Sequence, residues 1–343
     1  MRRGIYQPLV LHEHRFFDSD PSVRFVARGI YEETRELPLI CPHGHVDPAL
    51  LAENSPFPEP TALLIIPDHY IFRMLYSRGV PLESLGIPTR DGSPVESVPR
   101  KIWQCFAENY YLFRGTPTGA WLDHELHDLF DVRVKLDGGS GDYVYDQIAE
   151  RLAQPEFRPR ALFDRFNIEV LATTDKATDA LDAHRAIRDG EWNKRVIPTF
   201  RPDALFRIAS PEWGAELDAL AGATVGAMDD FASFIAALEE RRRYFRSLGA
   251  AATDHAVIEP YTARLSSSDV HEIFRRALRG EATAADQALF EAHMLVEMAR
   301  MSVDDGLVMQ LHPGAYRDHN RLVAQRFGPD KGGDIPVATE YTR

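Results

Sequence analysis

Residues 40–48 read Ile40-Cys41-Pro42-His43-Gly44-His45-Val46-Asp47-Pro48, and they follow directly on the apolar run Leu37-Pro38-Leu39-Ile40. That run reads as a buried strand. In an extended chain, residues i and i+2 point to the same side, so His43 and His45 face one point at the carboxyl end of the strand. Gly44 between them permits a close backbone approach. Neutral imidazole suits zinc, manganese or iron(II). Two ligands do not complete a site, so carboxylates or further histidines must come from elsewhere. The competing reading is a solvated turn bearing two histidines. Cys41 would share the same strand face, although an inert core cysteine is the simpler reading.

The segments around this stretch define the fold class. Asp20-Pro21 reads as a cap and first turn, with Val23, Val26, Ile30 and Tyr31 at helical spacing behind it. Residues 49–160 carry helical patterns and lack strand alternation. Pro67 interrupts the apolar stretch 61–77 just before Asp68-His69-Tyr70. Strands are then expected at 168–173, 195–200, 251–258 and 306–311, with helices between them. Each strand ends in polar residues: Asp175, Arg201, Asp254-His255 and His312. Strand–helix alternation with polar residues at the carboxyl ends points to a (β/α)8 barrel, whose active site lies on that face. No glycine-rich nucleotide motif supports a doubly wound nucleotide fold.

Composition narrows the function. The 343 residues are 44% hydrophobic and 27% charged, and the net charge is −13. An acidic chain repels phosphate backbones and anionic lipid, so neither nucleic acid nor a membrane is an expected partner. No apolar run approaches the roughly 20 residues needed to span a bilayer. The basic N-terminus lacks the apolar core of a signal peptide. With only Cys41 and Cys105, a disulfide framework is excluded and a cytoplasmic location is expected.

Each polar candidate has a functional and a structural reading. Asp68-His69-Tyr70 offers a proton-transfer pair or a polar helix start. Arg201, fixed before Pro202, suits a bidentate grip on a carboxylate, or a salt bridge at the sheet rim. His312 is a candidate metal ligand or a group that polarises a substrate oxygen. Arg317 is placed to bind an anion. Asp254 beside His255 is either a site acid or part of a local turn. Residues 239–243, Glu-Glu-Arg-Arg-Arg, read as a solvated helix face. His12-Glu13-His14 has no strand before it and lies in the lead-in.

Six segments, in order, then carry a resemblance: Pro42–Pro48, Asp68–Met74, Leu171–Asp175, Pro198–Asp203, Ala252–Ala256 and Gln310–Asn320. The chain resembles the uronate (glucuronate) isomerases of the metal-dependent amidohydrolase superfamily. The resemblance implies a distorted (β/α)8 TIM-type barrel with a helical insertion after strand 1. The expected division is 1–48 for the lead-in and first strand, 49–160 for the insertion, and 161–343 for the remaining barrel units. It implies one divalent metal, zinc first, with manganese or iron(II) as alternatives, held by His43 and His45. His69 and Tyr70 would be catalytic, with Tyr70 or a metal-bound water as the base. Arg201, His312, Arg317 and Asp254 would bind substrate.

The implied reaction is aldose–ketose isomerisation of a hexuronate: D-glucuronate to D-fructuronate, or D-galacturonate to D-tagaturonate, through a cis-enediol. A metal-dependent hydrolase of an ester, amide or lactone is the alternative within the superfamily. A homo-oligomer is expected. Family members are longer. The resemblance implies that the chain is a truncated sequence ending after the sixth strand. The last two barrel strands, including the aspartate that completes the metal site, would be missing, and apolar strand edges exposed.

Overall fold

The computed structural model describes residues 6–342. The basic residues Met1–Ile5 read above lie outside them. The chain divides into two compact units: Met1–Pro38 with Asn54–Asn167 and Arg317–Ile335, and Leu39–Glu53 with Ile168–Tyr316 and Pro336–Arg343.

The first unit is helical. Asp20 caps the helix Pro21–Thr34, accepting from the amides of Ser22 at 2.7 Å and Val23 at 3.1 Å, with proline in the first turn. The apolar residues expected to form its buried stripe are all exposed; Ile30, for example, is 61% exposed. Pro67 does break the next stretch, giving helices Pro60–Leu64 and His69–Ser77, the second capped by Asp68. Between 54 and 167 the described residues form helices and turns, with a single isolated bridge from Val134 to Pro8. Their core gathers Ile71, Phe72, Trp103, Phe106, Phe113 and Ile148. The Trp103 indole N–H is satisfied by the Gly141 carbonyl at 2.8 Å, so the ring is buried without a polar penalty.

The second unit holds the parallel strands. They are β1 (Leu39–Cys41), β2 (Ile168–Ala172), β3 (Asp175–Lys176), β4 (Arg195–Ile197), β5 (Phe200–Arg201), β6 (Ala252–His255) and β7 (Val308–Leu311). One parallel sheet has the order β1-β2-β4 and another β3-β5-β6-β7. They are one ladder with a short irregularity. Thr173 N–H reaches the Ile197 carbonyl at 2.9 Å, Asp175 N–H reaches Thr199 at 3.1 Å, and Ala177 N–H reaches Arg201 at 3.0 Å. Segments 168–176 and 195–201 therefore act as single staves. Five parallel staves stand side by side in strict chain order. No order reversal occurs, which a doubly wound sheet would require. The described residues form five such staves, where the resemblance implied six.

Helices cover these strands. Phe200, Phe234, Leu238, Phe245, Phe274, Phe290 and Met298 fill the core between them. Two expectations fail here. The first strand is not buried: it has a neighbour on one side only, and Leu39 and Ile40 are 50% and 64% exposed. The Glu-Glu-Arg-Arg-Arg run is not a wholly solvated face. Arg241 and Arg242, on the helix Phe231–Ser247, are buried. Arg242 grips Asp305 through Nε at 2.6 Å and Nη2 at 2.9 Å. Arg241 donates to the carbonyls of Ala177 and Asp179. Partners some sixty positions away in sequence bury both arginines, and charge spacing along one helix cannot report them. Among the described residues, no helix is long and apolar enough to cross a membrane.

Candidate active site

The site grows from the carboxyl ends of the staves in the second unit. A Cβ on Gly44 would sit 2.9 Å from the Ala172 carbonyl oxygen, so only glycine lets the β1 end lie this close to β2. Thr174 Oγ1 ties the same turn down by donating to the Gly44 carbonyl at 2.9 Å. The turn brings His43 Nε2 and His45 Nε2 to 3.2 Å. Two nitrogens each about 2.0–2.1 Å from a tetrahedral zinc would stand about 3.4 Å apart. Burial and the neighbouring His43 lower the pKa of His45, favouring the neutral imidazole that ligates metals.

The remaining donors come from β6 and beyond β7. Residues alternate along β6, so Asp254 faces opposite to Thr253 and His255. Asp254 Oδ1 lies 2.7 Å from His312 Nε2 and 3.7 Å from His43 Nδ1. The His43 and His312 rings meet edge to face at 5.5 Å. Asp254 is fully buried, yet neither of its carboxylate oxygens has a hydrogen-bond partner, and neither does His312 Nε2. Buried carboxylates without hydrogen bonds are rare and costly, and a cation is the ordinary compensation. His43, Asp254 and His312 each offer a ligand atom within 4.8 Å of the others. With His45 they form a nitrogen-rich set with one carboxylate, which fits a divalent transition metal. Cys41 is not in that group.

Arg201 lies beside this cluster. Its Nε is 2.9 Å from Asp203 Oδ2 and 3.6 Å from Asp254 Oδ2. Asp203 also accepts from the Ala256 amide at 3.2 Å, so it anchors both the arginine and the loop after β6. Among the described residues the two Nη groups of Arg201 make no hydrogen bond, which leaves the fork available. His255 points away and is buried. Desolvation and the nearby Arg242 push its pKa down to about 3, so it is a neutral core histidine bonded to Thr253 Oγ1 at 2.9 Å.

A cleft of about 470 Å³ adjoins His45 and is lined by Asp47, Thr174, Asp175, Lys176 and His184. Burial raises the Asp175 carboxyl to about 6 and lowers His184 to about 4. Thr173 Oγ1 donates to Asp175 at 2.7 Å and lies 2.8 Å from His184 Nε2.

The structure thus gathers His43, His45, Arg201, Asp254 and His312. The resemblance assigned Asp254 and His312 to substrate, with His312 also open as a metal ligand from its own position; the geometry sets both within donor distance of His43. His69, Tyr70 and Arg317 lie in the other unit. His69 and Tyr70 open the helix His69–Ser77, with ring centroids 4.3 Å apart, and Tyr70 is 58% exposed. Arg317 is already near two carboxylates, Asp330 at 3.6 Å and Asp334 at 3.5 Å. Two participants were missed, Asp203 and Gln310. Gln310 and His312 are an i, i+2 pair at a strand end, as His43 and His45 are, and that repeated spacing was the available signal.

The model of the glucuronate isomerase family matches residues 22–342. The uronate isomerase of Nostoc punctiforme is 51% identical over 335 residues, and that of Xanthomonas campestris pv. campestris is 48% identical over 334. Each match covers 97% of this chain and 71% of the relative. The crystal structure of glucuronate isomerase from Caulobacter crescentus superposes with a TM-score of 0.94 at 44% identity, covering 98% of this chain and 70% of that one. That of uronate isomerase from Thermotoga maritima gives 0.85 at 25% identity, covering 92% and 68%. Matched nearly end to end by isomerase relatives, and carrying a histidine–aspartate cluster able to hold a metal, this chain belongs to the glucuronate isomerase family.

Proposed function

We propose that the chain carries the aldose–ketose isomerisation of hexuronates, converting D-glucuronate to D-fructuronate and D-galacturonate to D-tagaturonate. The observation that carries the reading is the buried, unbonded Asp254 carboxylate, set among His43, His312 and the Arg201 fork. His43 and His45, with Asp254 and His312, would hold one divalent ion, zinc by preference for this donor set. When bound, such an ion supplies Lewis-acid stabilisation to oxygens that gain charge during enolisation.

The chain's own residues have separate tasks. The Nη groups of Arg201 suit the C6 carboxylate as a planar two-point grip, with Asp203 fixing the guanidinium orientation. Tyr70, with His69 assisting, is the proposed base at C2. It takes the C2 proton and a proton is returned at C1, while the O2 hydroxyl proton passes to O1. The enediol is symmetrical enough to collapse either way, so no oxidant or reductant is consumed. Arg317 is a further candidate for binding an anion.

Five staves in chain order support a distorted (β/α)8 barrel, with residues 49–160 as the insertion after its first strand. The two free cysteines fit a reducing, cytoplasmic compartment.

The test uses the 343-residue chain stripped of metal and reloaded with zinc, manganese or iron(II). Keturonate formation from each uronate is then followed. Activity that requires a metal is expected, and His69→Asn should lower kcat about 10²-fold or more with metal content unchanged. Full activity in His69→Asn would remove His69 from the mechanism. Stoichiometric metal with hydrolysis of esters or lactones, and no keturonate, would replace the isomerase reading altogether.

A further inference from the structure

We infer that Gln310 is a positioning residue that fixes the tautomer of His43 and so decides which of its nitrogens faces the metal. Three atoms around His43 have forced hydrogen-bonding roles. The Pro42 carbonyl can only accept, and Gln310 Nε2 lies 3.1 Å from it. That bond fixes the amide with its nitrogen toward Pro42. Gln310 Oε1 is then turned to His43 Nδ1 at 3.3 Å. An amide oxygen only accepts, so Nδ1 must carry the proton. The flipped amide would set two acceptors against each other at Pro42.

The opposite nitrogen, Nε2, therefore keeps its lone pair, and it lies 3.2 Å from His45 Nε2. A cation is suited to that short separation between two imidazole nitrogens. Ligating histidines commonly donate their other N–H to an outer partner, which sets ring orientation and tautomer. Here the partner is a neutral amide. It orients His43 without adding a second negative charge beside Asp254. Gln310 stands opposite Asp254 in the β6–β7 register, so the residue that orients one donor sits beside another.

The inference rests on the metal reading above, and the experiment separates the two. The metal-free chain is labelled with ¹⁵N-histidine, and the His43 signals are identified by their loss in His43→Gln. The pattern of couplings from the ring protons to the two nitrogens reports the tautomer directly. The wild-type chain should show His43 as the Nδ1–H form. Gln310→Leu should give a mixture of tautomers and bind zinc about 10–100-fold more weakly in competition with a chromophoric chelator. Gln310→Glu keeps an acceptor toward Nδ1 while it loses the donor to Pro42 and adds a charge beside Asp254, so it should keep the Nδ1–H form that Gln310→Leu loses.

An Nε2–H tautomer in the wild-type chain overturns the inference, whatever the variants do. So does a folded Gln310→Leu that keeps both the Nδ1–H form and wild-type affinity. An Nδ1–H form that depends on Gln310 in a chain that binds no zinc would refute the metal reading and leave the positioning role standing.

Discussion

Arg242 shows how differently one residue reads in sequence and in structure. In sequence it is the middle of a charge run. In the fold it is 1% exposed, bonded twice to Asp305 and once to Ser302. Removing one member of a buried ion pair strands the other, at a cost of about 3–5 kcal/mol. Arg242→Met should therefore lower stability by about that amount, read as a fall in the urea midpoint. The double replacement Arg242→Met with Asp305→Leu should recover much of the loss. The site residues divide along the same line. His43, His45, Arg201 and His312 were legible because their chemistry is rare and they sit at strand ends. Gln310, inside β7, and Asp203, at a helix start, were not singled out, because an amide or a carboxylate in such places gains its meaning chiefly from its partners. Asp254 was legible as a site residue, but its company was not. Its role follows from what β7 and the end of β1 bring to it, and no local pattern carries that.

Helices and strands were read from period and punctuation, and both work through short-range physics. Asp68 is an example: its side chain accepts from the Tyr70 amide at 2.8 Å and the Ile71 amide at 3.3 Å. These are otherwise unsatisfied donors of the first helical turn. Asp68→Ala should destabilise the chain by about 1 kcal/mol, while Asp68→Asn, still able to cap, should lie within a few tenths. Thermal unfolding of the two variants side by side decides it. Helices with strong start signals were placed well, such as the one opened by Asp20-Pro21. The helices Trp213–Ala223 and Gly141–Leu152 were not anticipated, for they lack a distinct apolar stripe or follow a glycine-rich loop. Burial was the weaker inference. An apolar run predicts a strand or helix through its own backbone preferences, but whether anything covers it depends on the rest of the molecule. The helix Pro21–Thr34 and strand β1 formed where expected and still expose their apolar residues.

At the scale of the whole molecule, stability depends on buried groups that titrate abnormally. Glu125 is pushed up to about 7 by burial, with Asp68 adding repulsion. Its folded pKa lies above the ordinary 4.5, so the folded state binds a proton that the unfolded chain has released. Its contribution is full below pH 4.5 and is lost as pH rises through about 7. Glu125→Gln removes that loss. Relative to the parent, the variant should gain unfolding free energy as pH rises from about 4.5 to 7, and denaturant titrations across that range would show it. The sequential order of the staves followed from strand–helix alternation. The division into two units, each assembled from separated segments, did not, because nothing local marks which distant pieces share a core. The bond from Gln310 to His43 spans 267 positions and joins the fifth stave to the end of the first. In kinetic terms, a contact of that span raises the contact order of the fold, and chain closure of that length is paid before any ligand contributes. A cation that holds only the finished candidate cluster would act by mass action on the native state rather than as a nucleus for it.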